Sequence, residues 1–179
     1  MENINDILNL DSKAKVKLYK KRDILQREGV NNSHPFFVKK GLLRSYTVDD
    51  KGKEHIFMFA PEDWVIGDID SQEYNQPSTL FIDCLEDSEV YVIDRNLFLQ
   101  SDLSKDQLKK KINLLTRRLA VLQRRVLMLM SASAQTRYES FLDTYPKLPN
   151  RVPQRMIASY LGITPEALSK IRSEIARSK

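Results

Sequence analysis

The sequence predicts an α+β protein in three consecutive parts: an antiparallel β-roll over residues 1–103, a long dimerisation helix over 104–133 and a helix-turn-helix over 134–179. Three observations lead there. Short runs rich in β-branched and aromatic residues, divided by turn residues, fill the first part. From Ser104 onward no Pro or Gly occurs until Pro146, and aliphatic residues recur there with a heptad period. Near the C-terminal end, two short apolar stripes flank a glycine and a Thr-Pro pair, the pattern of two helices joined by a sharp turn.

The strand signals lie at residues 36–38, 42–48, 55–59, 80–82 and 89–93. Turn residues separate them at Lys39-Lys40-Gly41, at 49–52, at 60–63 and at Gln76-Pro77-Ser78. Many short strands between about Val16 and Phe98, with no helical pattern of parallel-sheet type between them, indicate a small antiparallel barrel or roll. Cys84 falls in the apolar run 80–85 and reads as a buried small hydrophobe; redox sensing would need exposure and thiolate character. As the single cysteine it can form no intrachain disulfide.

In the next part, Ser104-Lys105-Asp106-Gln107 can cap a helix. Leu108, Ile112, Leu115, Leu119, Leu122, Val126 and Leu129 then recur at alternating steps of four and three, a seam of three heptads that favours a coiled coil. Lys109, Lys110, Lys111, Arg117, Arg118, Arg124 and Arg125 flank it and make the opposite face strongly basic. A helix packed on its own β-domain would account for part of the stripe. Seven positions spanning roughly 30 Å at 1.5 Å per residue favour a parallel seam between two chains, hence a homodimer. Ser131-Ala132-Ser133-Ala134 interrupts the seam and reads as a hinge, 137–142 starts a further helix, and 145–150 is a loop.

In the stretch 154–171, Ile157 and Leu161 form the buried stripe of a first helix, with Ala158 small where a second must cross closely. Gly162 follows where a sharp turn needs positive φ. Thr164 is a good N-cap, and Pro165 stands at the first helical position, where its missing N–H costs nothing. Leu168 and Ile171 face inward, leaving Glu166, Ser169, Lys170 and Arg172 outward. Such a unit places one helix in the major groove of DNA. A purely structural helical hairpin is the plainer alternative, and a protein-interaction or small-ligand-sensing module whose hairpin does not bind DNA is another.

Charge divides along the same boundary. The formal net charge is +5. Residues 1–103 hold 13 Lys+Arg against 19 Asp+Glu, and residues 104–179 hold 16 against 5. A basic C-terminal part attracts a phosphate backbone, while the acidic part is held off it. No apolar run approaches 18 residues, and the acidic, polar start has no signal-peptide pattern, so no membrane partner and a cytoplasmic location are expected. His34 and His55 stand alone without a carboxylate cluster, so neither a metal site nor an enzyme of cupin type is expected.

A β-roll, a long helix and a helix-turn-helix in that order resemble the cyclic-AMP-receptor and fumarate-nitrate-regulator (Crp/Fnr) superfamily of bacterial transcription factors. The likeness covers nearly the whole chain and is most specific at 37–46, at Pro61-Glu62-Asp63-Trp64-Val65-Ile66-Gly67-Asp68 and at 157–166, the last similar to short regulators of the Bacteroidetes group. It implies a transcriptional regulator with double-stranded DNA as partner and a cyclic-nucleotide-binding-like jelly roll. In nucleotide-binding members, a Gly-Glu pair is followed about ten residues later by Arg-Ser/Thr-Ala; the glutamate holds the ribose hydroxyl and the arginine neutralises the cyclic phosphate. Here the pair is Gly67-Asp68, and the arginine's position falls at about Ser78, followed by Thr79 and Leu80. An anionic phosphate in a dry pocket needs a cation or aimed donors, so Gly67, Asp68, Ser78 and Thr79 read as a degenerate pocket with weak or absent cyclic AMP binding. Iron–sulfur sensing in the family needs four cysteines, and haem sensing needs axial ligands that the two histidines do not suggest; no cofactor is expected. An unknown small-molecule effector and RNA polymerase stay open as partners.

The resemblance maps base reading to Pro165, Glu166 and Lys170, with Ser169 a weaker reader. Phosphate contacts map to Thr164, Lys170, Arg172, Arg177 and Lys179. Relatives continue into a β-hairpin wing; only 173–179 remain here, so a missing or truncated wing is expected.

Overall fold

The computed structural model describes residues 15–94 and 103–177; Phe98 and Lys179, invoked above, lie outside the described residues. The N-terminal part is an antiparallel, jelly-roll-like pair of four-stranded sheets. Its strands are β1 (Val16–Tyr19), β2 (Ile24–Gln26), β3 (Phe36–Lys40), β4 (Leu43–Val48), β5 (Glu54–Ala60), β6 (Val65–Ile66), β7 (Phe81–Cys84) and β8 (Ser88–Val92). One sheet has the order β1-β8-β3-β6, the other β2-β7-β4-β5. The five strand signals of the sequence correspond to β3, β4, β5, β7 and β8. β2 and β6 carry too few residues for a period to show, and β1, Val16-Lys17-Leu18-Tyr19 with Leu18 exposed, has no apolar run to mark it. A six-residue helix, α1 (Ile69–Tyr74), stands between β6 and β7 where no helical period was legible.

Alternation along the strands sends one face inward. Phe36, Val38, Leu43, Ala60, Ile66, Ile82, Cys84 and Val90 form one buried cluster. Burial pushes the Cys84 thiol up to about 11, which keeps it protonated and inert near neutral pH. Gly41 joins β3 to β4 at φ +97°; a Cβ there would collide with Ser88 Oγ and lie 2.7 Å from the Asp87 carbonyl oxygen.

A charged pair is buried in the second sheet. Arg44 and Asp83 are cross-strand partners on β4 and β7. The guanidinium is 5% exposed and donates from Nε and Nη2 to the two Asp83 oxygens at 2.8 and 2.9 Å. Glu54 of β5 takes its remaining edge. The Tyr46 ring lies 4.1 Å from it and stacks on Phe81. Burial disfavours the charge, but the bonds to Asp83 and Glu54 outweigh it and raise the Arg44 pKa.

Helices follow. α2 (Lys105–Ser131) runs 27 residues, about 40 Å at 1.5 Å per residue. Ser104 and Gln107 cap it reciprocally: the Gln107 N–H donates to Ser104 Oγ, and the Ser104 N–H to Gln107 Oε1. The expected break falls at Ala132-Ser133, and Ser133 accepts from the Thr136 N–H to start α3 (Ala134–Thr144). A 3-10 turn (Leu148–Asn150) leads to α4 (Gln154–Leu161) and α5 (Pro165–Arg177). Packing divides the chain into two compact units, residues 1–115 and 116–179, so α2 contributes to both. In the second unit, Phe141 contacts Tyr138, Tyr145 and Tyr160, and Leu148, Ile157, Leu161, Leu168 and Ile171 complete the core.

Removing one member of the buried pair leaves a charge short of its partner. Asp83→Ala is expected to cost about 3–5 kcal/mol, read as a lower urea midpoint with unchanged slope.

Candidate functional site

α4 ends at Gly162, whose φ of +66° lets the N–H groups of Gly162 and Ile163 bond back to the carbonyls of Ser159 and Ala158. Thr164 Oγ1 accepts from the Ala167 N–H at 3.2 Å and starts α5. Leu168 and Ile171 are buried against α4 and α3, which fixes the other side of α5 toward solvent. Pro165, Glu166, Ser169, Lys170 and Arg177 are exposed and Arg172 is half-buried. Lys170 Nζ stands 3.9 Å from Glu174 with its side chain 79% exposed, a pairing too loose to hold it. The Glu166 carboxyl is tied to the helix start: its own backbone N–H, then the Thr164 hydroxyl, hold it below the usual carboxylate range. The α5 N-terminus thus already carries a carboxylate, a feature that spacing did not reveal.

The seven heptad residues share one side of α2. Leu108, Ile112, Leu115, Leu119, Val126 and Leu129 are between 43 and 66% exposed, and Leu122 is half-buried. A contiguous apolar stripe facing water is the kind of surface that marks an interaction site. The basic face expected opposite it is only partly solvated. Lys111 is buried, and Arg118 and Arg125 are half-buried. Arg125 lies over the Tyr160 ring at 4.1 Å and donates to the Tyr160 carbonyl. Lys111, Arg118 and Arg125 are therefore less open to solvent than the rest of that face.

In the roll, Asp68, Ser78 and Thr79 converge. Asp68 is 2% exposed. Its carboxylate accepts from the Ser71 N–H at 3.1 Å, the Thr79 N–H and Ser78 hydroxyl at 2.9 Å, and the Thr79 hydroxyl at 3.3 Å. Burial works against ionisation, but the donors of Ser71, Thr79 and Ser78 outweigh it and hold the carboxyl below its usual range. Gly67 beside it is tightly enclosed: a Cβ would meet Gln72 Nε2 at 2.9 Å and Pro35 Cα at 3.3 Å. The sequence reading missed the other half of the cluster. Gln26 of β2 donates to Ser78 Oγ at 2.7 Å and accepts from Ser33, which in turn accepts from Gln72. Gln26 and Ser33 lie 52 and 45 positions from Ser78, and no motif announces them. His55 bonds Asp49 at 2.8 Å in the β4–β5 turn.

Residues 16–101 match the cyclic nucleotide-binding domain family. The matched residues span the roll, and the solved structures that the chain is similar to include a transcriptional regulator of the CRP/FNR family. FixK2 from Bradyrhizobium japonicum superposes with a TM-score of 0.76 at 21% identity, covering 92% of this chain and 85% of that chain. A CooA variant from Carboxydothermus hydrogenoformans gives 0.75 at 19%, covering 99% and 85%. A CRP/FNR-family regulator from Thermus thermophilus gives 0.70 at 19%, covering 92% and 87%. These are likenesses of fold. No curated protein sequence matches the chain. Among the described residues no helix is long and apolar enough to cross a membrane, and no group of three or more His, Cys, Asp or Glu could hold a metal ion.

Asp68→Ala strips an acceptor from four donors of the roll. The expected cost is about 1–3 kcal/mol near neutral pH. Because the folded carboxyl titrates below the unfolded value of about 3.9, the stabilisation is present above that pH and is lost as pH falls through the folded value. The gap between wild type and variant in denaturant midpoint therefore closes on acidification.

Proposed function

We propose that the chain is a homodimeric DNA-binding transcriptional regulator of the Crp/Fnr type that does not respond to cyclic AMP. The observation carrying the DNA reading is α5. It is anchored on one side by Leu168 and Ile171 and presents Pro165, Glu166, Ser169 and Lys170 on the other, at the end of a strongly basic segment. α4 and α5 then act as a helix-turn-helix, with α5 in the major groove. Lys170 donates to guanine O6 or N7, and Ser169 makes a weaker contact. Pro165 has no donor and packs against the groove wall. Glu166 accepts from cytosine N4 with the carboxylate edge that Thr164 leaves open. Arg172 and Arg177 meet phosphates.

The exposed α2 seam supports the dimer. Two copies in parallel bury the stripe from Leu108 to Leu129 against each other, which sets two α5 helices on successive major grooves about 34 Å apart on a pseudo-palindromic site.

A cyclic nucleotide does not fit the residues of the roll. Its phosphate needs donors and a cation where Ser78 and Thr79 stand, yet those donors already serve Asp68, and among the described residues the bonds of Asp68, Ser78 and Thr79 include no Lys or Arg. A phosphate set 4 Å from the carboxylate would be repelled by about 4 kcal/mol at an effective dielectric of 20.

DNA binding is tested by fluorescence anisotropy against sites selected from random duplexes, across a salt series. Affinity is expected to fall steeply with salt. Lys170→Ala is expected to lose about 1–3 kcal/mol and relax preference at one base pair; unchanged binding to selected and random duplexes would remove the assignment. Leu119→Glu is expected to sediment as a monomer and to bind the selected site far more weakly, while a wild-type monomer would overturn the seam.

A further inference from the structure

The second compact unit contains a cleft that shares Leu129 with the proposed seam but whose arginines the DNA reading leaves unused. Arg124 and Arg125 of α2 and Arg137 of α3 line it, and Tyr160 and Leu161 at the end of α4 close it. Its volume is about 40 Å³. That admits a compact group of a few heavy atoms and falls far short of the roughly 300 Å³ or more of a drug-sized site. Three arginines thus contribute to the lining, which contains no Asp or Glu.

Two of the three are held rigidly. Arg137 Nη1 donates to the Leu161 carbonyl at 2.7 Å, and Arg125 Nη2 to the Tyr160 carbonyl at 3.3 Å. The Tyr160 ring fixes the plane of Arg125. Arg137 Nε is buried and bonds to no acceptor. A buried donor without an acceptor carries a desolvation cost that a ligand oxygen would remove. Planar guanidiniums fixed in advance suit oxyanions, because little side-chain freedom is lost when each bond forms.

We propose that this cleft binds a small oxyanion, a phosphoryl or carboxylate group, through Arg124, Arg125 and Arg137. Arg137 Nε supplies the inner bond and Arg124 closes the exposed rim. The bound anion ties the end of α2 to α3 and to the last turn of α4, next to Gly162, from which α5 departs. The site stands independently of the DNA reading, since its test uses the protein without DNA.

The full-length protein is titrated with sodium phosphate, sodium acetate and sodium chloride at constant ionic strength, following the arginine Nε–H resonances by NMR. Phosphate or acetate is expected to shift the Arg137 Nε–H signal saturably, with chloride without effect. Saturation by phosphate alone assigns a phosphoryl ligand, and saturation by acetate a carboxylate. Arg124→Gln, at an exposed position that tolerates the change, is expected to weaken the midpoint by about tenfold, the loss of one charged hydrogen bond. Arg155→Gln, at the opposite end of α4, is expected to leave it unchanged. No shift, a shift linear in concentration, or a midpoint equal in wild type and Arg124→Gln overturns the proposal.

Discussion

Arg44 sits inside the roll with its charge intact, and three strands of one sheet are held in register by that fact. A charge withdrawn from water must be met by counter-charge or by fixed donors and acceptors, or it costs several kcal/mol. Asp83 on β7 and Glu54 on β5 meet Arg44 on β4, so the pair specifies which strands neighbour which and with what alignment. The same constraint governs Asp68, where four donors meet a carboxylate, and the second unit, where the last carbonyls of α4 meet Arg125 and Arg137. Each buried charge marks a place where the backbone has little freedom.

For the roll this has a functional consequence. A fold suited to an anionic ligand keeps donors aimed at the place where the anion will sit. Here a carboxylate of the chain takes those donors, and Gln26, Ser33 and Gln72 extend the network away from it. Charge and hydrogen bonding are balanced without a ligand.

The helical part divides its labour by exposure. Its basic residues are of two kinds. Lys170 and Arg177 face water and suit a partner whose charge is spread along a backbone. Arg125 and Arg137 cap α4 from outside its own chain segment, a role that lysine, with a single point charge, would fill less rigidly. Net charge alone merges the two kinds, although they do different work.

The sequence by itself determined the elements whose signals are local. Gly41 and Gly162 announce turns because only glycine accepts those backbone angles cheaply; Ser104 and Thr164 announce helix starts because their hydroxyls meet orphan N–H groups; the heptad announces an apolar seam because its period matches the helix. The strands β3, β4, β5, β7 and β8 were legible through β-branched and aromatic runs, whereas β2, β6 and α1 were too short to carry a period and β1 has no apolar run. Only the tertiary structure decided which residues meet. Gln26, Ser33, Asp68 and Ser78 come from separate segments, and so do Arg125, Arg137 and Tyr160. Such contacts are set by how the sheets and helices pack, and side chains brought together from distant segments have no fixed spacing along the chain.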